Sequence, residues 1–195
     1  AALVLFSVDP TGLRALDIGA STGGFTDCLL QQGASKVFAI DVGYGQLDWK
    51  IRSDPRVVVM ERTNIRYVTP EDLGEPLDLS VIDVSFISLK IVLPAIKNLL
   101  KPGAGQVLSL IKPQFECGRS ALDRHGIVKS RTHHKAAITR VLDCAVLCGL
   151  VPRAVIPSPI TGGDGNREFL MWCVKTETKE ENLIANLDIE RIVKL

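Results

Sequence analysis

Near the carboxyl end of this chain two β-type runs, Arg153–Pro157 and Glu168–Val174, flank a glycine-rich loop, Thr161-Gly162-Gly163-Asp164-Gly165-Asn166. The gap has no room for a helix, and parallel neighbours need a crossover of a dozen or more residues. The two runs are therefore expected to pair antiparallel. Everything before them alternates instead. β-rich runs at Leu13–Ile18, Lys36–Asp41, Val57–Met60, Leu77–Asp83 and Gln106–Ile111 are separated by helix-like segments. These are Phe25–Gln32 ending at Gly33, a short turn at Thr69-Pro70-Glu71-Asp72, Leu89–Leu100 ending before Pro102, and Ser130–Cys148. Such alternation implies a parallel sheet with helices on both faces. In Ser130–Cys148, the residues Ile138, Val141, Leu142, Ala145 and Val146 make one buried stripe, with Gly149 as the stop. Glu180–Leu195 reads as a terminal helix packing back through Leu183, Ile184, Leu187 and Val193. The expected architecture is α/β, with five parallel strands closed by an antiparallel hairpin. A chain of 195 residues fits one domain with a sizeable core.

The first β-rich run breaks into a glycine-rich turn, Leu16-Asp17-Ile18-Gly19-Ala20-Ser21-Thr22-Gly23-Gly24-Phe25. Asp41 follows Gly19 by 22 positions at the end of the second run. Strand, tight turn, helix and then a carboxylate for ribose hydroxyls is how nucleotide-type cofactors are held. Asp17, Gly19, Ser21, Gly23, Gly24 and Asp41 are thus candidate cofactor residues, against the plainer reading of a turn that only joins strand to helix. Ser21 stands where a dinucleotide fingerprint has its second glycine, the one that lets backbone approach a pyrophosphate. An adenosine-bearing cofactor without pyrophosphate, such as S-adenosylmethionine, fits better.

Open α/β sheets bind ligands at the carboxyl ends of their strands, so the polar residues at those ends are the candidates for chemistry. Asn64 follows the third run and serves either adenine or a local turn. Asp83 emerges straight from a buried strand. Lys112 follows Leu108-Ser109-Leu110-Ile111 and precedes Pro113, which holds it extended. Lysine is rarely buried without a partner. Lys112 therefore either forms a structural ion pair with Asp83 or works as a base. Glu168 opens the last run and either reaches the same cleft or is an exposed hairpin carboxylate. A lysine whose pKa is lowered by burial towards roughly 7–8 would remove a proton from a ribose hydroxyl. The neighbouring carboxylates would position it.

Net charge is only +1, but its distribution is uneven. Residues 119 to 140 hold Arg119, Arg124, Lys129, Arg131, Lys135 and Arg140 against Asp123 alone, together with His125, His133 and His134. This is either a phosphate-facing patch, with Arg119, Arg124, Lys129, Arg131 and Lys135 as RNA contacts, or a solvated helix face. The cysteines, Cys28, Cys117, Cys144, Cys148 and Cys173, contain no CxxC pair and read as reduced thiols of a cytoplasmic protein. Cys144 and Cys148 lie one helical turn apart, where core packing is favoured over a zinc site, and no metal is expected. No apolar run approaches the roughly 20 residues that span a bilayer, and the first residues lack the basic start of a secretory signal.

Four segments carry a resemblance: Leu16–Asp27, Asp83-Val84-Ser85-Phe86-Ile87-Ser88, Ile111-Lys112-Pro113-Gln114-Phe115-Glu116 and Gly165-Asn166-Arg167-Glu168-Phe169. In this order they resemble the TlyA, or haemolysin A, family of FtsJ-like ribosomal RNA ribose 2′-O-methyltransferases. The expected sheet is likewise similar to that of class I (Rossmann-like) S-adenosylmethionine-dependent methyltransferases, not that of nicotinamide dehydrogenases. The resemblance implies a catalytic Lys-Asp-Lys-Glu set, whose last three members match Asp83, Lys112 and Glu168, with Asp83 also beside the cofactor. It implies cytidine in ribosomal RNA as the target and ribosomal RNA or ribosomal subunits as partners. The family's first lysine has no counterpart in Ala1–Leu13, and its amino-terminal S4 RNA-binding domain is missing. The chain is expected to be the methyltransferase portion of a larger protein, binding cofactor but poor in RNA affinity and turnover by itself. The rival expectations are a haemolytic protein acting on membranes and a nucleotide-binding module without methyl transfer.

Overall fold

The alternating runs become strands because each is a short burst of valine, leucine and isoleucine flanked by turn residues. A computed structural model of the chain describes residues 1–163, 165–176 and 188–194. The strands are β1 (Arg14–Ile18), β2 (Lys36–Ile40), β3 (Val57–Met60), β4 (Leu79–Ile82), β5 (Gln106–Ile111), β6 (Leu150–Pro157) and β7 (Phe169–Lys175). They make one seven-stranded sheet in the order β3-β2-β1-β4-β5-β7-β6. The first five are mutually parallel, and β7 runs antiparallel to both β5 and β6. The expected sheet and its closing hairpin are both present. Strand order reverses between β1 and β4, so the crevice at their carboxyl ends is where such a sheet takes a ligand.

The helices are α1 (Ala2–Leu5), α2 (Gly24–Gln31), α3 (Trp49–Arg52), α4 (Pro70–Leu73), α5 (Leu89–Ile96), α6 (Pro113–Glu116), α7 (Arg131–Leu147) and α8 (Ile189–Ile192). Side-chain alternation splits the sheet between two cores. Leu16, Ile18, Phe38 and Ile40 face α5 and α7, whereas Ala15 and Val37 face the side that holds Leu29 and Leu30 of α2. In α7, Ile138, Val141, Leu142 and Ala145 are fully buried as expected, but Val146 is 38% exposed. Gly149 ends the helix with φ +73°. Cys144 and Cys148 pack half-buried against the main core, where burial pushes the Cys148 thiol up to about 11.

Two boundaries differ most from the sequence expectation. α5 stops at Ile96 because Leu99 and Leu100 return to the sheet, where Leu77 N donates to Leu99 O and Lys101 N to Leu77 O. Pro94 inside that helix has no N–H to continue the ladder. β6 starts directly at Leu150 and absorbs a register shift between Pro152 and Ala154, so Arg153 opens no strand of its own. Of the expected terminal helix, the structure describes α8 and the buried Val193, while Leu183, Ile184 and Leu187 lie outside the described residues.

Two close packings fix the centre of the sheet. Gly19 turns the chain after β1 with φ +85°, and a Cβ built there would lie 2.3 Å from the backbone oxygen of Asp83. Beneath that turn, Thr26 Oγ1 donates to Asp17 Oδ2 at 2.6 Å, both residues being fully buried. The other Asp17 oxygen has no hydrogen-bond partner among the described residues. Burial raises the Asp17 pKa from its ordinary 3.8 to about 6, against the opposing effect of the Thr26 hydrogen bond.

Gly19→Ala is expected to destabilise the domain by about 3 kcal/mol or more, because a left-handed alanine must also displace backbone. A thermal midpoint equal to that of the parent would refute this. For Asp17, the native state holds its proton more tightly than the unfolded chain does. Stability therefore falls as pH rises from 3.8 through about 6, by on the order of 3 kcal/mol. Asp17→Asn keeps an acceptor for Thr26 and should flatten that fall, measured as urea unfolding free energies across this range.

Candidate active site

At the switch point the exits of β1, β2 and β4 surround a cavity of about 440 Å³. Gly19 and Ser21 form one wall, Asp41 to Gly43 and Gln46 another, Thr63 to Ile65 a third, and Asp83 to Ile87 the floor nearest β5. Asp41 holds the first two walls together. Its Oδ2 accepts from Ser21 N at 2.8 Å and its Oδ1 from Gly43 N at 2.7 Å. Ser21 meets that bond in a left-handed conformation, φ +49°, where glycine would be unstrained. The serine thus keeps the backbone shape of the glycine it replaces. Gly23 caps α2 with φ +100°, and its missing side chain makes room for Ile51. Gly24 opens α2 with nothing near its absent Cβ.

Asn64 shapes the local turn and stands in the cavity wall. Its Oδ1 accepts from the backbone and side-chain nitrogens of Arg66, shaping the turn Ile65–Tyr67, and the residue also lines the cavity. Asp17 stands apart from the lining, since strand alternation sends it under the turn while Ile18 faces the cavity. The donor set suits S-adenosylmethionine. Asp41 and Asp83 offer carboxylates to ribose hydroxyls and to a cationic ligand, and the lining contains no lysine or arginine for a pyrophosphate.

The sheet register assembles the second half of the site. Ile111 pairs with Phe169, so Lys112 and Glu168 leave β5 and enter β7 side by side. Lys112 Nζ lies 2.6 Å from Asp83 Oδ1 in a close ion pair and donates to Ser85 Oγ at 3.3 Å. Its side chain is only 13% exposed. Glu168 is buried and accepts from Gln114 Nε2 at 3.1 Å. Burial pushes the Glu168 carboxyl above its ordinary value, with the Gln114 hydrogen bond and the Lys112 charge opposing that shift and the Asp83 charge adding to it. A Cβ on Gly162 would lie 2.6 Å from Glu168 Oε1, so the hairpin loop closes directly over this carboxylate. The three expected residues therefore do meet, and Glu168 is not an exposed hairpin carboxylate.

Sequence reasoning assigned no role to several neighbours. Phe86, with φ +64°, is 92% exposed on the cavity rim, its ring 5.2 Å from that of Phe115. Ser85, Gln114 and Glu116 touch the site or its supports. The four family-like segments contain all of these, but nothing local marks which of them face inward.

The basic segment follows β5 on the same rim. Asn166 anchors it, accepting from Val128 N and donating to Gly126 O, both at 3.0 Å, while His134 Nε2 meets Val128 O at 2.7 Å. Lys129 is paired with Asp123 and Lys135 with Glu190, and Arg124 donates to His125. Arg119 and Arg131 are exposed and have no acidic partner among the described residues. Among those residues no helix is long and apolar enough to cross a membrane.

Comparison with known proteins places the fold and the family. The chain is 49% identical to YqxC of Bacillus subtilis, which carries an rRNA methyltransferase name, over 99% of this chain and 69% of that protein. It is 46% identical to the 16S/23S rRNA (cytidine-2′-O)-methyltransferase TlyA of Mycobacterium tuberculosis, over 91% of this chain and 65% of that one. The chain thus spans about two thirds of the length of these relatives. A solved structure from Streptococcus thermophilus carried under a hemolysin name superposes with a TM-score of 0.92 at 44% identity, covering 99% of this chain and 69% of that one. An S-adenosylmethionine-dependent methyltransferase from Listeria monocytogenes shares the fold, with a TM-score of 0.64 at 19% identity, over 87% of this chain and 93% of that one. The model of the FtsJ-like methyltransferases matches residues 2–175, and the chain belongs to that family.

Proposed function

We propose that this domain methylates the ribose 2′-hydroxyl of a cytidine in ribosomal RNA, using S-adenosylmethionine, and that it works in the cytoplasm. The observation that carries this reading is the Lys112–Asp83 pair at the rim of the cofactor cavity, with Glu168 across the strand register. The name of the TlyA relative supports the choice of cytidine and of the 2′ oxygen.

Bound in the cavity, S-adenosylmethionine supplies a methyl group already activated by its sulfonium. Asp41 would accept from its ribose hydroxyls, Asn64 and Ile65 would flank its adenine, and Asp83 would face its positive end. The remaining work is positioning and proton transfer. Lys112 Nζ, neutral once its own proton has passed to solvent, would take the 2′-hydroxyl proton and leave the ribose oxygen as the nucleophile. Asp83 fixes the direction of the amine. Glu168, held by Gln114, places a second carboxylate beside it. The exposed ring of Phe86 offers a face on which an unstacked base rests. Arg119 and Arg131, with Arg124, present cationic groups to the RNA backbone, whereas Lys129 and Lys135 must first leave their acidic partners.

Lys112→Ala in the full-length protein should abolish methyl transfer while leaving the S-adenosylmethionine Kd within about threefold, because it removes the proton acceptor and not the cavity lining. Retained turnover would sink the assignment. Replacing Arg119 or Arg131 with alanine should reduce the slope of log affinity against log salt by about 0.7–0.9 for each phosphate that is no longer neutralised. Filter binding across a salt series reads this, and an unchanged slope would return the segment to a solvated surface.

A further inference from the structure

We infer that Glu116 is a positioning residue for the transfer, clamping the strand exit that carries Asp83 and Ser85 against the one that carries Lys112. This rests on the function proposed above. Glu116 ends α6 and does not line the cavity. Its Oε2 accepts from Ser88 Oγ at 2.5 Å and its Oε1 from the backbone N of Leu89 at 2.7 Å. It therefore satisfies an otherwise orphaned amide at the start of α5 from a different element. Its own carbonyl accepts from Arg140 Nη1 at 3.0 Å, which ties it to α7.

These bonds close a ring. The segments leaving β4 and β5 are joined near the strands by Lys112 with Asp83 and Ser85, and at their far ends by Glu116 with Ser88 and Leu89. Between the two joins, the rings of Phe86 and Phe115 are in contact. Phe86 sits in a left-handed conformation that a phenylalanine holds only when its surroundings over-determine it. Without the far join the segment 84–88 is free to relax, and Ser85 and Asp83 would no longer fix the amine of Lys112. Two acceptor oxygens are needed at once, which only the ionised carboxylate supplies. Burial raises the Glu116 pKa, while its hydrogen bonds with Ser88 and Leu89 and the charges of Lys90 and Arg140 lower it. The other titratable groups facing it, Cys117 and Cys144, have thiols raised by burial.

The test uses Glu116→Ala, Glu116→Gln and Ser88→Ala in the full-length protein. Glu116→Ala should lower kcat roughly ten- to hundredfold, with the KM for RNA and the Kd for S-adenosylmethionine within about threefold. Glu116→Gln keeps one acceptor oxygen, so it should recover kcat only in part, to roughly five- to tenfold below the parent, and lose the acid limb of the pH profile that belongs to this carboxylate. Ser88→Ala, which removes one partner of Glu116 together with the cap that Ser88 Oγ gives Lys90 N, should lower kcat by about two- to fivefold. Independently of turnover, amide hydrogen exchange at Leu89 should quicken by at least about tenfold in Glu116→Ala. Unchanged exchange there, or unchanged kcat in both Glu116→Ala and Ser88→Ala, overturns the clamp. If the parent protein does not methylate RNA, the proposed function fails, and the exchange measurement still decides whether the clamp exists.

Discussion

The exits of β1 and β4 are in backbone contact, with the carbonyl oxygen of Asp83 filling the space that any side chain at residue 19 would need. That contact sets the floor of the cavity, since it fixes the height of Asp83 relative to the turn that bears Ser21. The Asp41 carboxylate then draws two loops onto that floor through Ser21 N and Gly43 N. A glycine usually read as room for a ligand is here first of all room for the neighbouring strand. What remains in the lining includes the carboxylates of Asp41 and Asp83, the second of them paired with Lys112.

The strands and their closing hairpin were legible because each is a local burst of β-branched and leucine side chains, and because loop length alone forbids a crossover in the hairpin. Lys112, Asp83 and Glu168 were legible as polar residues at strand ends. Pairings made across the fold were not. Glu116 acts on residues 27 and 28 positions away, Gln114 holds a carboxylate 54 positions away, and Lys135 meets Glu190 across 55. No local pattern encodes such partners. Asp17 shows a subtler limit. Alternation along β1 already places it opposite Ile18, yet its acidic type within a glycine motif draws the eye towards the ligand.

Electrostatics divides the rim into two territories. The cofactor side is acidic, whereas the side after β5 is basic and partly neutralised by its own acids. Asn166, two residues before Glu168, anchors Gly126 and Val128 of the basic side. The same hairpin loop thus packs on the carboxylate and holds the basic segment.

The position of β7 has a consequence for how such a chain comes into being. It follows β6 in the chain, yet it lies between β6 and β5, and among the described strands β6 pairs only with it. Until β7 emerges, β5 presents a bare hydrogen-bonding edge and the preceding strand has nowhere to dock. Because Glu168 stands at the threshold of β7, a nascent chain brings it to Lys112 and Asp83 only once that strand has emerged and docked.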